Sequence, residues 1–287
     1  MLQSKAPFGR RRAVTLWIAL AGLLAFFALD LPLEHLWPSE ERLAAVRPFL
    51  AAAFDPALDY EALSELPPGA PGFLERLLLA VWRTIAFALA AWSLALVFAV
   101  PLGLCASSAF WMRRAEAGPR AKLRGGAWLI YSLTRALIIG LRSVHELLWA
   151  VLLLAALGLS PGTGVIALAL PFTGTLAKVF SELLDENSYA SVETLRATGA
   201  RPWQVFAFGV VPRALPDMLS FSFYRLECSV RSSAVLGFFG FETLGYYLRL
   251  SFENLHYREV WTFLYTLILL VIILEAWSAR LRRRFVA

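Results

Sequence analysis

Charged residues and cysteine are both scarce in this sequence. Only 17% of its 287 residues are Asp, Glu, Lys or Arg, whereas a soluble domain usually has about 25%. The two cysteines, Cys105 and Cys228, both lie in apolar stretches, which excludes a disulfide framework and a cysteine-rich metal site. A Gly-x-x-x-x-Gly-Lys-Ser/Thr phosphate loop is also missing from the sequence, so we expect no ATP binding of that kind.

Apolar residues, by contrast, are abundant, and the basic residues are clustered. Apolar side chains make up 59% of the sequence and the mean hydropathy is +0.63, which predicts an all-α, polytopic membrane protein. Thirteen of the 27 Lys and Arg lie in residues 5–12, 113–124 and 280–284, each beside an apolar run. This distribution is typical of cytoplasmic loops in membrane proteins, so we expect contact with membrane lipid and none with nucleic acid.

The charge pattern predicts a topology with both termini in the cytoplasm and six membrane spans. Residues 14–29 are interpreted as an uncleaved signal anchor. Residues 30–73, with eight acidic and two basic residues, are interpreted as an external segment. We therefore divide the chain into residues 1–73, an anchor with an external segment, and residues 74–287, a transmembrane domain. The six predicted spans are residues 14–29, 84–110, 147–157, 165–177, 216–239 and 260–274.

The most informative stretch is the polar segment of residues 181–216, which we call the cytoplasmic loop. It lies between the fourth and fifth predicted spans and faces the cytoplasm in this topology. Residues 191–198 predict a short helix with Gly199 as its C-terminal cap. Pro202 suits the first turn of a second helix, and Pro212 and Pro216 are expected to end that helix.

In this loop the sequence resembles the permeases of ATP-binding-cassette (ABC) importers. Glu193-Thr-Leu-Arg-Ala-Thr-Gly199 matches their Glu-Ala-Ala-x-x-x-Gly signature, with Thr194 and Leu195 in place of the two alanines. Pro212 follows Gly199 by 13 residues, as in the family, with Val211 in place of the usual leucine. The sequence also resembles the phosphonate-transport subfamily of these permeases. This resemblance rests on the segment Tyr224-Arg-Leu-Glu-Cys-Ser-Val-Arg-Ser-Ser-Ala-Val-Leu-Gly237. The resemblance covers roughly residues 75–285. It departs where family members have Gly-Ala-Gly-Gly-Ile-Gly and this chain has Gly240-Phe-Glu-Thr-Leu-Gly245.

The resemblance implies a permease without enzymatic activity, cofactor or metal of its own, in a bacterial inner membrane. It also implies a homodimer with a second permease copy, two cytoplasmic ATPase subunits and an external substrate-binding protein. The implied substrate is a phosphonate or a related phosphorus oxyanion such as phosphite. The loop residues expected to contact the ATPase are Glu193, Arg196, Gly199, Ala200, Trp203 and Pro212.

Polar side chains at membrane depth are candidates for a translocation path. Ionisable groups inside a span usually face a bundle interior or an aqueous cavity. Glu227 and Arg231 are four residues apart, which predicts an intrahelical ion pair, so lining the path and a purely structural role both remain open. Arg142 and Glu146 repeat this spacing, which makes a network across spans possible. The candidates are Arg142, Glu146, Arg225, Glu227, Arg231, Ser232 and Ser233.

Three alternative functions were compared with this interpretation. An ABC importer for another small solute fits the same signature, because the external binding protein does most of the selection. A membrane-embedded enzyme acting on lipid phosphate needs a catalytic constellation such as an Asp-rich motif, and the sequence has none. A secondary transporter leaves the cytoplasmic loop unexplained and usually shows internal repeats.

The segment His145-Glu146-Leu-Leu-Trp149 departs from the zinc motif His-Glu-x-x-His at its second ligand, so no metal site is predicted.

Overall fold

The computed structural model describes residues 8–29, 39–61, 71–111, 126–186, 195 and 197–285. Every regular element in these residues is helical, which confirms the predicted all-α fold. The chain divides into two compact units, Met1–Phe54 and Asp55–Ala287. The first unit contains α1 (Phe8–Ala28) and α2 (Glu40–Ala52). The predicted division at residue 73 into an anchor segment and a transmembrane domain stays a prediction.

The second unit contains the remaining helices. They are α3 (Phe73–Ala106), α4 (Ser108–Trp111), α5 (Gly126–Ser143), α6 (Glu146–Leu157), α7 (Pro161–Glu186), α8 (Pro202–Gln204), α9 (Val211–Val235), α10 (Leu244–Glu253) and α11 (Tyr257–Phe285). A π-helical turn, Val205–Val210, joins α8 to α9, and a 3-10 turn, Leu236–Phe239, follows α9. Gly240 then adopts a left-handed conformation with φ 100°, which ends this helical stretch before α10.

Three helices of the described residues are long and apolar enough to cross a membrane, namely α3, α7 and α11. Helices α5 and α6 meet the same test only as a pair bent by 91°. The apolar stretch of α1, Arg12–Ala28, is shorter, and α9 contains five charged residues. Residues 147–157, the predicted third span, lie in α6, the second helix of the bent pair. The count of six spans stays a prediction.

The contact between α3 and α7 lies at the centre of the second unit. One face of α3 has a small residue at every fourth position, and Ala91, Ala95 and Ala99 are all fully buried. Gly103 continues this series, and a Cβ atom added there would lie 2.9 Å from the Cβ atom of Phe180 in α7. The two backbones therefore approach closely. Small residues at such crossings are typical of membrane helices that associate by van der Waals packing.

Residues 55–61 hold the N-terminal end of α11 through a set of mutual contacts that we call the clasp. Oε1 of Glu61 accepts hydrogen bonds from the backbone N–H groups of Arg258 (2.8 Å) and Glu259 (3.2 Å). In return, Oε1 of Glu259 accepts a hydrogen bond from the backbone N–H of Glu61 (2.9 Å). Arg258 also pairs with Asp55, with 3.0 Å between Nη2 and Oδ2. The Glu61 carboxylate thus satisfies N–H groups that a helix start leaves unpaired.

Candidate functional site

The turn of the cytoplasmic loop is centred on Gly199. Gly199 has φ +78°, and the backbone N–H of Ala200 donates to the carbonyl oxygen of Leu195 over 3.3 Å. This six-residue closure with a left-handed residue is a Schellman motif, so the predicted C-terminal cap is confirmed. A Cβ atom on Gly199 would meet no atom within 4 Å. The backbone conformation, and not a lack of space, therefore makes glycine the favoured residue here.

The helical segment that follows the turn exposes two aromatic rings. Its start is capped, since Oε1 of Gln204 accepts a hydrogen bond from the backbone N–H of Arg201 over 2.8 Å, as in a capping box. Trp203 is 48% exposed and Phe208 is 68% exposed, and their ring centroids lie 6.3 Å apart. Adjacent exposed rings are typical of a surface that contacts another protein or lipid. The sequence analysis identified Trp203 but not Phe208.

The two prolines expected to end this helical segment do not end it. The chain continues from α8 through the π-helical turn into α9, and Pro212 and Pro216 lie inside that last helix. In the π-helical turn, the backbone N–H of Val211 donates to the carbonyl oxygen of Phe206. The wider turn shifts the hydrogen-bond register just before Pro212, which has no N–H to donate, so the helix proceeds without a break.

Four of the six residues predicted to contact an ATPase belong to the described part of the chain. Three of them are exposed on the loop surface, and Ala200 is half-buried. The exposed residues are Gly199, Trp203 and Pro212. The other two predicted residues, Glu193 and Arg196, lie outside the described residues.

The charged residues of α9 pair differently from the sequence prediction. Glu227 is only 9% exposed, and its Oε1 atom lies 3.7 Å from Nη1 of Arg282 in α11. Arg231 is exposed, and its Nη2 atom donates to Sγ of Cys228 over 3.4 Å. The predicted intrahelical pair of Glu227 and Arg231 is therefore wrong. Because the carboxylate is buried and the Arg231 side chain is exposed, the carboxylate meets the cation of a neighbouring helix instead.

A polar contact joins α6 to α9. Oγ of Ser232 donates to Oε1 of Glu146 over 2.7 Å, which confirms a link across these two helices. Arg142, at the end of α5, is exposed and forms no part of this link in the described structure. Ser233 is fully buried, and its hydroxyl donates to the carbonyl oxygen of Thr84 in α3 over 2.9 Å. Ser233 therefore packs α9 against α3.

Arg225, the remaining predicted path residue, lies over an aromatic ring. Its Cζ atom is 4.8 Å from the ring centroid of Phe172 in α7. Its Nε atom is buried and has no hydrogen-bond partner among the described residues. A cation–π contact contributes about 0.5–2 kcal/mol, and leaving a buried polar group without a hydrogen bond costs about 1–3 kcal/mol. The ring contact alone therefore offsets the cost of the buried Nε atom only in part.

Comparison with known proteins places the chain in a transport family. Residues 117–286, more than half of the chain, match the family described as the binding-protein-dependent transport system inner membrane component. The chain belongs to this family. The matched residues include the cytoplasmic loop, α9 and α11. The predicted kinship with ABC importer permeases is thereby confirmed, and the family supports a multi-pass protein of the inner membrane that is not an enzyme.

Curated relatives of this permease-family chain include phosphorus-transport proteins. It is 35% identical over 157 residues to the phosphite transport system permease protein PtxC of Stutzerimonas stutzeri. The aligned residues cover 55% of this chain and 57% of that protein. It is 28% identical over 221 residues to the phosphate-import permease protein PhnE of Mycolicibacterium smegmatis. The aligned residues cover 77% of this chain and 39% of that protein. The chain thus spans about half the length of these curated relatives.

Solved structures share the fold of this permease-family chain. An inward-facing structure of the MetNI methionine ABC transporter superposes with a TM-score of 0.60 and covers 74% of this chain and 97% of that chain. The two sequences are 20% identical. At this level of identity the likeness establishes the fold alone.

Three partners of the predicted site residues were missed in the sequence, namely Arg282, Cys228 and Phe172. Arg282 belongs to the basic segment 280–284, which was interpreted only as a topology signal. Extending the last predicted span as a helix to residue 285 would have placed Arg282 on the same helix as the span. No sequence signal marks Phe172 as the ring beneath Arg225, because the contact depends on how α7 packs against α9.

Proposed function

We propose that this chain is the permease subunit of an ATP-driven importer for a phosphonate or a related phosphorus oxyanion such as phosphite. The family match supports an importer, and the relatives named as phosphite and phosphate-import permeases support the substrate class. The structural observation that supports it most is the cytoplasmic loop, where the Gly199 turn precedes the exposed rings of Trp203 and Phe208. In this proposal the two rings are covered by a protein partner.

In this proposal the partner at the loop is a separate ATPase subunit. The chain has no phosphate-binding loop of its own, so the energy for transport comes from that partner. The complete transporter contains a second copy of this permease, two ATPase subunits and an external substrate-binding protein. Closure of the two ATPases moves the loops as rigid bodies, and the helices switch access between the two sides. The proposed contacts are Glu193, Arg196, Gly199, Ala200, Trp203, Phe208 and Pro212.

We assign the polar residues of α5, α6 and α9 to the path of the substrate. A wholly apolar path would impose a large desolvation cost on an oxyanion, and arginine offers a permanent charge with paired donors for phosphorus oxygens. Two of these polar residues, Glu146 and Ser232, meet in a hydrogen bond between α6 and α9. The cationic residues of the proposed path are Arg142, Arg225 and Arg231.

The proposed function predicts uptake that depends on both ATP and the binding protein. We expect proteoliposomes that hold the permease with its ATPase to accumulate phosphite or methylphosphonate when ATP is inside and the binding protein is outside. A hydrolysis-deficient ATPase serves as the control and should abolish accumulation. Accumulation that needs no ATP would contradict an ABC importer. Accumulation of another solute class, with neither phosphorus oxyanion, would contradict the substrate.

The proposed topology places the clasp outside the cell and the cytoplasmic loop and both termini inside. Asp59 and Ala197 are exposed positions of the clasp region and of the loop. We expect a membrane-impermeant maleimide to label Asp59→Cys in intact cells and to label Ala197→Cys only after permeabilisation. Both variants are made in a chain with Cys105→Ala and Cys228→Ala. Labelling of both positions in intact cells would overturn the topology.

A further inference from the structure

Arg225 differs from the other arginines that contact α9 residues. Arg231 donates to Cys228 Sγ, and Arg282 pairs with Glu227. Arg225, in contrast, has an unpaired and buried Nε atom, and no carboxylate of the described residues pairs with its guanidinium. No hydrogen bond or ion pair joins its Nη atoms to a described residue, and the side chain is half-buried. The Nη atoms are therefore donors without a partner in the described part of the chain.

We propose that the guanidinium of Arg225 and the ring of Phe172 form a binding site for the phosphorus oxyanion inside the permease. This inference rests on the proposed function. The contact with Phe172 fixes the guanidinium at 4.8 Å from the ring centroid, while the two Nη groups remain free to bind two oxygens of one oxyanion. Paired donors of this kind are the arrangement in which arginine binds phosphorus oxygens most strongly.

The neighbouring polar groups on α9 define the position of the anion along the helix. Ser232 follows Arg225 by seven residues, so both lie on one face of α9, roughly 10 Å apart along its axis. At the Ser232 level, the carboxylate of Glu146 accepts the serine hydrogen bond. A carboxylate repels an anion at its own level and a guanidinium attracts one. The site therefore holds the oxyanion at the level of Arg225 and Phe172.

Among the cationic residues of the proposed path, Arg225 is the one that lies over α7. Arg231, another candidate from the sequence, lies on the exposed side of α9, and its predicted partner Glu227 faces Arg282 instead. Arg225 lies over Phe172 of α7, and the residue before Phe172 is Pro171, whose missing N–H removes one backbone hydrogen bond of that helix. The helix α7 is therefore most easily bent beside the proposed site.

The experiment removes the guanidinium and the ring separately. We expect Arg225→Met to lower ATP-driven uptake of phosphite about 10- to 100-fold, the effect of losing a charged hydrogen-bonding group. Binding of radiolabelled phosphite to the purified permease–ATPase complex, without binding protein, should fall in parallel. Phe172→Leu should lower uptake severalfold. Phe180→Leu, an equally buried phenylalanine of α7 that lies away from Arg225, is the matched control and should leave uptake near the parent value.

Thermal stability separates a binding role from a structural one. Because the Nε atom is buried and unpaired, Arg225→Met should melt at the same temperature as the parent or higher. A lower melting temperature or failed assembly of Arg225→Met would make Arg225 structural and overturn the site. Equal uptake by Arg225→Met and the parent would also overturn the site while leaving the proposed function intact. If the parent itself takes up neither phosphite nor methylphosphonate, the proposed function fails.

Discussion

Replacing Gly199 with valine should lower ATP-driven uptake at least about tenfold, while the chain still inserts into the membrane. Gly199 has φ +78°, a conformation that costs an L-residue roughly 1–2 kcal/mol and a β-branched residue more. A difference of about 1.4 kcal/mol is a factor of ten in population, so the loop would mostly leave the conformation that presents Trp203 and Phe208. Uptake and co-purification of the ATPase measure the effect.

The control for this prediction is Gly199→Asn. Asparagine is larger than glycine but adopts the left-handed conformation readily, and the space around Gly199 is open. We therefore expect the asparagine variant to stay near the parent in both measurements. Equal loss in the asparagine and valine variants would show that the left-handed turn is not the feature that matters.

Replacing Gly245 with alanine should destabilise the second unit by about 3 kcal/mol or more, because no side chain can move to relieve the overlap. A Cβ atom on Gly245 would overlap the backbone carbonyl oxygen of Ala234, at the end of α9. The contact is reciprocal, since a Cβ atom on Gly237 would overlap the backbone nitrogen of Tyr246. The melting temperature and the yield of folded protein in detergent measure the effect.

Gly140→Ala provides the matched control for this substitution. Gly140 lies inside α5, and a Cβ atom there would meet no atom within 4 Å. Alanine is favoured over glycine in a helix interior by about 1 kcal/mol, so this variant should be as stable as the parent or more stable. Equal stability of the Gly245 and Gly140 variants would mean that α10 can shift away from α9 without cost.

Structural features that involve only residues close in sequence could be predicted from the sequence. The left-handed cap at Gly199 was predicted because a Schellman turn involves only residues close in sequence, here Leu195 to Ala200. The uncharged run of residues 84–110 likewise predicted α3, since a long uncharged stretch identifies a span by itself. The shorter apolar runs of residues 165–177 and 260–274 located α7 and α11. The small-residue face of α3 then explains why α7 packs so closely against it.

Features that depend on distant residues were not predictable from spacing. The i,i+4 rule could only propose Arg231 as the partner of Glu227, whereas the actual partner, Arg282, lies on another helix. Helix α5 was left out of the predicted spans because charged residues interrupt its apolar run. In the structure, Arg135 of that helix pairs with Asp185 at 3.7 Å and lies over Tyr131. The pairing of Glu227 was not predictable because helix packing sets burial and pairing.

The clasp also has a consequence for the order of events during synthesis. Glu61 and Glu259 are separated by 198 residues, and ribosomes add about 5–20 residues per second. Roughly 10–40 s therefore pass between the synthesis of Glu61 and that of its partner. During that interval the clasp segment has no helix end to bind, so the unit can close only when α11 arrives. A nascent chain stopped before α11 would accordingly remain open to proteases at residues 55–61.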